Sequence, residues 1–230
     1  MIYVTGDIHA DRTRLDKKNL KPLKKGDYLL VCGDFGFIWN GDSSERKYLE
    51  KLSKRPYTIC FIDGVHENFE LLSHYPMCDR FGGKVRQIEP NIFYLPRGQI
   101  YLFNDKTVFA MGGGEDPNAQ LTDDEFSENK HPEIPTKTEM LTAVENLERI
   151  SYSPDYIITH EPPSKVRDFM LMSDTATSGP TALRAFFDEL TTEARYTRWF
   201  FGSMHTDKHI SSSMTAVFKA VINAETGERI

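Results

Sequence analysis

Aspartate and histidine residues stand directly after several short apolar runs, and these residue types are donors for a divalent metal ion. Gly6-Asp7-Ile8-His9 follows the run Ile2 to Thr5. In extended backbone the Asp7 and His9 side chains, two residues apart, point to one side and can reach one ion. Gly33-Asp34 closes the next run, and Asp63-Gly64-Val65-His66-Glu67-Asn68 the one after. Later runs end in Thr159-His160 and in Gly202-Ser203-Met204-His205. Asp plus His without Cys suits Mn²⁺, Fe or Zn²⁺ better than a structural zinc site. Taken singly, Asp7 or Asp34 reads more readily as the cap of a following helix. Their shared placement points instead to one site, because ligands of α/β sheets bind outside the carboxyl ends of the strands. Hydrolysis of a phosphate ester is a chemistry that such a metal site supports.

The elements that must position these residues follow from periodicity. Ile2 to Thr5, Tyr28 to Cys32, Tyr57 to Ile62, Ile100 to Phe103, Thr107 to Met111, Tyr156 to Thr159, Trp199 to Phe201 and Ala216 to Ile222 read as strands. Ser44 to Lys54, Asn68 to His74, Lys137 to Ile150 and Thr181 to Leu190 have helical spacing. The alternation predicts an α/β fold. Phe93 to Met111 has no helical stretch between its strand-like runs, which predicts a hairpin or meander and hence a mixed sheet. Residues 112–136 form a long, acidic, Pro-containing segment that reads as an insertion, either a lid over the site or a mobile surface loop. No linker divides the chain, so residues 1–230 are read as a single domain.

Composition narrows the function. A chain of 230 residues with 39% hydrophobic and 12% aromatic content can bury a substantial core. The net charge of −6 argues against an extended nucleic-acid partner or an anionic membrane surface, which select for clustered Lys and Arg. Cys32, Cys60 and Cys78 form no CxxC pair and read as structural thiols. No apolar window is long enough to span a bilayer, and the N-terminus lacks a signal-peptide pattern, so the expected location is cytoplasmic.

In order along the chain, D-x-H at Asp7 and His9, G-D at Gly33-Asp34, Gly64-Val65-His66-Glu67, the lone His160 and Gly202-Ser203-Met204-His205 together resemble the signature of the calcineurin-like metallophosphoesterases. The resemblance implies a four-layer α/β/β/α sandwich with mixed sheets and a two-metal centre bridged by Asp34. It implies one ion held by Asp7, His9, Asp34 and His205, and a second held by Asp34 and His160. Val65 stands where the family has Asn, and Ser203 where it has His. The second site therefore lacks about half its protein donors, and the expectation is one tight and one weak site. Mn²⁺ is the expected ion, with Fe and Zn²⁺ as alternatives, and Glu67, Glu161 or water are the candidate replacement donors. His66 keeps the position of the histidine that assists departure of the leaving group.

Other residues have less specific readings. Arg12 and Arg14 stand close enough to the D-x-H loop to contact phosphate, or lie on a solvated helix. Trp39 reads as a pocket wall or as packed under the insertion, and Asp63 as either an orienter of a histidine or a turn former. His74, His131 and His209 read as surface residues, and Gly112-Gly113-Gly114 as a turn. The functional expectation is metal-dependent hydrolysis of a small phosphodiester or phosphomonoester, a nucleotide included. The alternative is a metallophosphoesterase fold that binds metal, nucleotide or a partner without turnover. No oligomeric state follows from these residues.

Overall fold

A computed structural model describes residues 1–115, 131–171 and 181–230. Strands β1 (Ile2–Thr5), β2 (Tyr28–Cys32), β3 (Thr58–Ile62), β4 (Met77–Arg80), β5 (Gly83–Glu89) and β6 (Ile92–Tyr94) build one sheet. Strands β7 (Gln99–Phe103), β8 (Lys106–Met111), β9 (Tyr156–Thr159), β10 (Arg198–Phe201), β11 (Lys208–His209) and β12 (Met214–Ala216) build the other. β13 (Ile222–Asn223) returns to the first. The orders are β13-β1-β2-β3-β6-β5-β4 and β11-β12-β10-β9-β8-β7. In the first sheet β1, β2, β3 and β6 run parallel, and in the second β12, β10, β9 and β8 do. Antiparallel strands flank both parallel sets, so each sheet is mixed.

Helices α1 (Ser43–Leu52) and α2 (Phe69–Ser73) connect strands of the first sheet, while α3 (Lys137–Arg149), α4 (Ser164–Leu171) and α5 (Ala182–Glu193) belong with the second. Three hydrophobic clusters separate the layers. Leu30, Cys32, Cys60 and Ile62 of the first sheet pack in one cluster with Val108, Ala110, Ile158 and Phe200 of the second. The alternate residues Leu29, Val31, Ile59 and Phe61 join Tyr48, Leu49 and Leu52 of α1. On the far side Phe109, Ile157, Trp199 and Phe201 join Leu147 of α3 and Phe187 of α5. Strands buried on both faces read as unbroken apolar runs, the pattern seen in the sequence. The result is the expected α/β/β/α sandwich.

Local chemistry sets the helix starts. The Asp42 carboxylate accepts from the Ser44 and Glu45 N–H groups ahead of α1, and Thr136 and Glu139 form a capping box on α3. Ala216 to Ile222 is not one strand. β12 ends at Ala216, and the N–H groups of Phe218, Lys219 and Ala220 are taken by the Asp207 carboxylate instead of a neighbouring strand. The expected hairpin exists as β7 and β8, turning at Asn104-Asp105 with both residues at positive φ. β6 before it lies in the other sheet. The insertion at residues 112–136, expected as either a lid or a mobile surface loop, falls largely outside the described residues. Its two described ends are pinned, since Gly113 N–H donates to the Asp63 carbonyl and Gly114 N–H to that of Glu133. Gly112 packs directly against Asp63 and is a close-approach glycine after β8, not a turn residue.

Candidate metal centre

β1, β2 and β3 from one sheet, and β9 and β10 from the other, end at one place. The loops after them carry Asp7 and His9, Asp34, His66, His160 and His205. Asp7, Asp34 and His160 are at most 2% exposed, while His9, His66 and His205 face outward. His9 Nε2 lies 3.0 Å from His205 Nε2, and His205 Nε2 lies 3.1 Å from Asp7 Oδ2. His9 Nε2 is 3.7 Å from Asp34 Oδ2. His160 stands 3.6 Å from Asp7 and 4.0 Å from Asp34. Three overlapping donor sets result, Asp7-His9-His205, His9-Asp34-His66 and Asp7-Asp34-His160, each with donor atoms within 4.8 Å of one another.

These donors fit a cation. Asp7 Oδ2 is buried, and the ion-pair contact from His205 Nε2 at 3.1 Å is not aligned as a hydrogen bond, so the oxygen keeps a lone pair for a cation. Two donors about 2.1 Å from a first-row ion at right angles lie roughly 3 Å apart, which is the His9 to His205 spacing. Without an ion, protons supply the charge. Burial opposes protonation of His160, but the Asp7 and Asp34 carboxylates and the Cys32 carbonyl push its pKa up to about 10. Burial would raise the Asp7 carboxyl, yet His160 and His205 hold it well below the usual range. His205 is raised by its contact with Asp7, and His9 is lowered by burial.

The backbone is shaped to admit these groups. His9, Asp34, Ser203 and His205 all have φ between 44° and 47°, a region costly for residues other than glycine. A Cβ on Gly64 would overlap the Asp34 carboxylate, and one on Gly202 would overlap Asp7 and the Cys32 carbonyl. At each position only glycine lets a second strand end close over the ligand.

Several sequence readings change here. Arg14 is no phosphate clamp, because its guanidinium donates to the Asp7 carbonyl, the Thr5 hydroxyl and the Phe218 carbonyl, fixing the D-x-H loop from behind. Arg12 donates to Ser44 and lies over the Tyr48 ring. Asp63 orients no histidine. It accepts from Tyr94 OH at 2.9 Å and from Arg97 Nε and Nη2 at 2.8 and 2.6 Å, all buried. Arg97 also donates to the Pro132 and Glu133 carbonyls, which anchors the return of the acidic segment. Glu67 belongs to none of the three donor sets, and its Oε1 receives the Phe35 N–H at 2.7 Å. Burial and the nearby Asp34 raise its pKa well above the carboxylate range. Trp39 is 48% exposed and does not line the cleft. His74 and His209 are exposed as expected, whereas His131 is partly buried against Glu133.

A cleft of about 290 Å³ opens over the cluster. Its walls include Val65 and Ser203, together with Glu161, Arg167, Leu171 and Met204. Ser203 meets the site through its N–H, 3.3 Å from Asp7 Oδ1. A larger groove of about 450 Å³, beside Tyr101 and Arg149, shares no residue with the cluster. Sequence reasoning missed Arg97 and Arg167, which lie outside every motif.

The family model described as calcineurin-like phosphoesterase matches residues 1–207 of the chain. The chain belongs to that family. A search of curated proteins gave no match. The strand-end cluster of Asp and His offers groups that could hold a divalent metal, in keeping with a metal-dependent phosphoesterase. No helix among the described residues is long and apolar enough to cross a membrane.

Proposed function

We propose that this chain hydrolyses a small phosphate ester, mono- or diester, nucleotides included, with a divalent ion held tightly by Asp7, His9, Asp34 and His205. The observation that carries the reading is the buried Asp7 carboxylate brought into one donor set with His9 and His205. Mn²⁺ is the ion of choice in this reading, with Fe and Zn²⁺ as alternatives, since the donors are carboxylate and imidazole. Asp34 and His160 form the core of a second, weaker site, because Val65 brings no donor to the cleft and Ser203 only a neutral hydroxyl. A bound divalent cation supplies charge neutralisation at the phosphoryl oxygens and acidifies water.

The protein's own groups do the rest. Asp34 accepts the His66 N–H at 2.8 Å, and its Oδ2 lies 3.0 Å from His66 Nδ1. That contact fixes a proton on Nδ1 and leaves Nε2 free. When protonated, Nε2 can donate to a leaving-group oxygen in the cleft that His66 lines. A cleft of about 290 Å³ suits a small ester, not a polynucleotide. The three free cysteines agree with a reducing, cytoplasmic setting.

Mn²⁺-dependent hydrolysis of bis(4-nitrophenyl) phosphate and 4-nitrophenyl phosphate tests the reading, with Asp34→Asn as the inactive control. Turnover that disappears in Asp34→Asn supports it. A second reading, a binding protein without turnover, is favoured by Val65 and Ser203 standing together beside His160. A silent native protein with an active Val65→Asn/Ser203→His variant would establish that second reading.

A further inference from the structure

One cation in the cleft wall has no role in the chemistry above. Arg167 lies one helical turn into α4, which starts shortly after the ligand His160, and its N–H donates to the Pro163 carbonyl at 3.0 Å. The residue is partly buried and lines the same cleft as His66 and His160. Among the described residues its guanidinium makes no hydrogen bond and no ion pair. The acids that share the wall are already matched elsewhere. Glu115 Oε2 is 3.3 Å from Arg184 Nη2, and Glu161 Oε2 is 3.4 Å from Arg184 Nε. Glu161 Oε1 also accepts the Glu115 N–H at 3.0 Å. Arg184 itself is 5% exposed and does not line the cleft. Positive charge is therefore delivered from α4 by Arg167 to the same cleft that the Asp and His cluster lines.

The geometry points to Arg167 as a specificity-determining residue that pairs with a second phosphoryl group of the substrate. This assignment rests on the phosphoesterase reading for the first phosphoryl group. A guanidinium offers a planar fork of donors that matches phosphate oxygens in pairs. Val65, Met204 and Leu171 line the same cleft and give an apolar surface for the uncharged body of the substrate. The substrate class is thus a small molecule with two phosphoryl groups, either a diphosphate or a bisphosphate, in preference to a simple monophosphate.

Calorimetric titration of the Mn²⁺-loaded full chain separates this claim from catalysis. The probes are adenosine 5′-monophosphate, adenosine 5′-diphosphate and adenosine 3′,5′-bisphosphate, with free Mn²⁺ held constant. The native protein is expected to bind at least one doubly phosphorylated probe about tenfold tighter than the monophosphate, as one charge-assisted pair allows. Arg167→Gln should remove that preference and leave monophosphate affinity within about twofold, and Arg167→Lys should restore only part of it. Thermal melts coincident with the native protein show that each variant is folded. No preference in the native protein, or a preference that survives in Arg167→Gln, overturns the assignment. Because the readout is binding, a protein that shows the Arg167-dependent preference but hydrolyses nothing refutes the enzyme reading and leaves this one standing.

Discussion

His9 Nε2 and His205 Nε2 face each other at 3.0 Å, although 196 positions separate them in the chain. Each ring also approaches a carboxylate, His9 that of Asp34 and His205 that of Asp7. Such a contact needs either a proton between the rings or an ion beside both. A chelated sample and a metal-loaded one should therefore differ in stability. At a Mn²⁺ concentration of a hundred times its dissociation constant, the gain is about 2.7 kcal/mol. Thermal melts across a Mn²⁺ series check this, and a melting temperature indifferent to Mn²⁺ would refute it.

Asp34 is shared by the donor sets of His9, His66 and His160. Asp34→Asn keeps the shape and removes the charge, so the variant should hold less than one equivalent of Mn²⁺ after dialysis. Elemental analysis gives the answer, and a full retained equivalent removes Asp34 from the site.

Val65→Asn/Ser203→His should add a second binding event in a Mn²⁺ titration, because both positions line the cleft with His160. Ser203 already holds a φ of 47°, which a replacement histidine must also adopt at a cost of about 1–3 kcal/mol. An unchanged stoichiometry would mean that other donors already complete the second site.

Arg97 and Asp63 form a buried ion pair at 2.6 Å, with side chains 3% and 0% exposed. Removing one partner strands the other, so Arg97→Met or Asp63→Ala alone should cost about 3–5 kcal/mol. The double variant should cost clearly less than the sum of the two. Urea unfolding of the full cycle reads the coupling, and additivity would mean the pair contributes no interaction of its own.

Asp155 gives a pH dependence far from the metal cluster. Burial pushes its carboxyl up, but the Thr107 N–H and hydroxyl and the Lys106 ammonium outweigh it, so the pKa is lowered. A depressed carboxyl contributes stability that is fully present above its unfolded value of about 4 and is lost as pH falls through the folded value. Asp155→Asn should lower the melting temperature at pH 7, with the gap to the native protein closing progressively as pH falls below the usual carboxylate value of about 4. A gap that stays constant with pH would show that the charge is irrelevant.

The parallel strands were legible because burial on both faces leaves apolar runs such as Tyr28 to Cys32 and Tyr156 to Thr159, which the structure keeps residue for residue. β4 was not, since Met77–Arg80 is a largely exposed edge with no apolar pattern. Ala216 to Ile222 misled because burial, which the sequence displays, does not say whether a neighbouring strand or the Asp207 carboxylate takes the N–H groups. The candidate donors were legible because type and position at strand ends coincide. The supports were not: Arg14 behind Asp7, Glu67 on the Phe35 N–H and Arg97 on Asp63 depend on distances that spacing cannot express.

The donors come from both halves of the sandwich, with Asp7, His9 and Asp34 on loops of one sheet and His160 and His205 on loops of the other. An ion seated among them is consequently a clasp across the seam where the two sheets meet. It ties a residue near the start of the chain to one nearly two hundred positions later, and closing so long a loop is where a cross-link restricts the unfolded chain most. In that arrangement cofactor and architectural fastener would be the same atom.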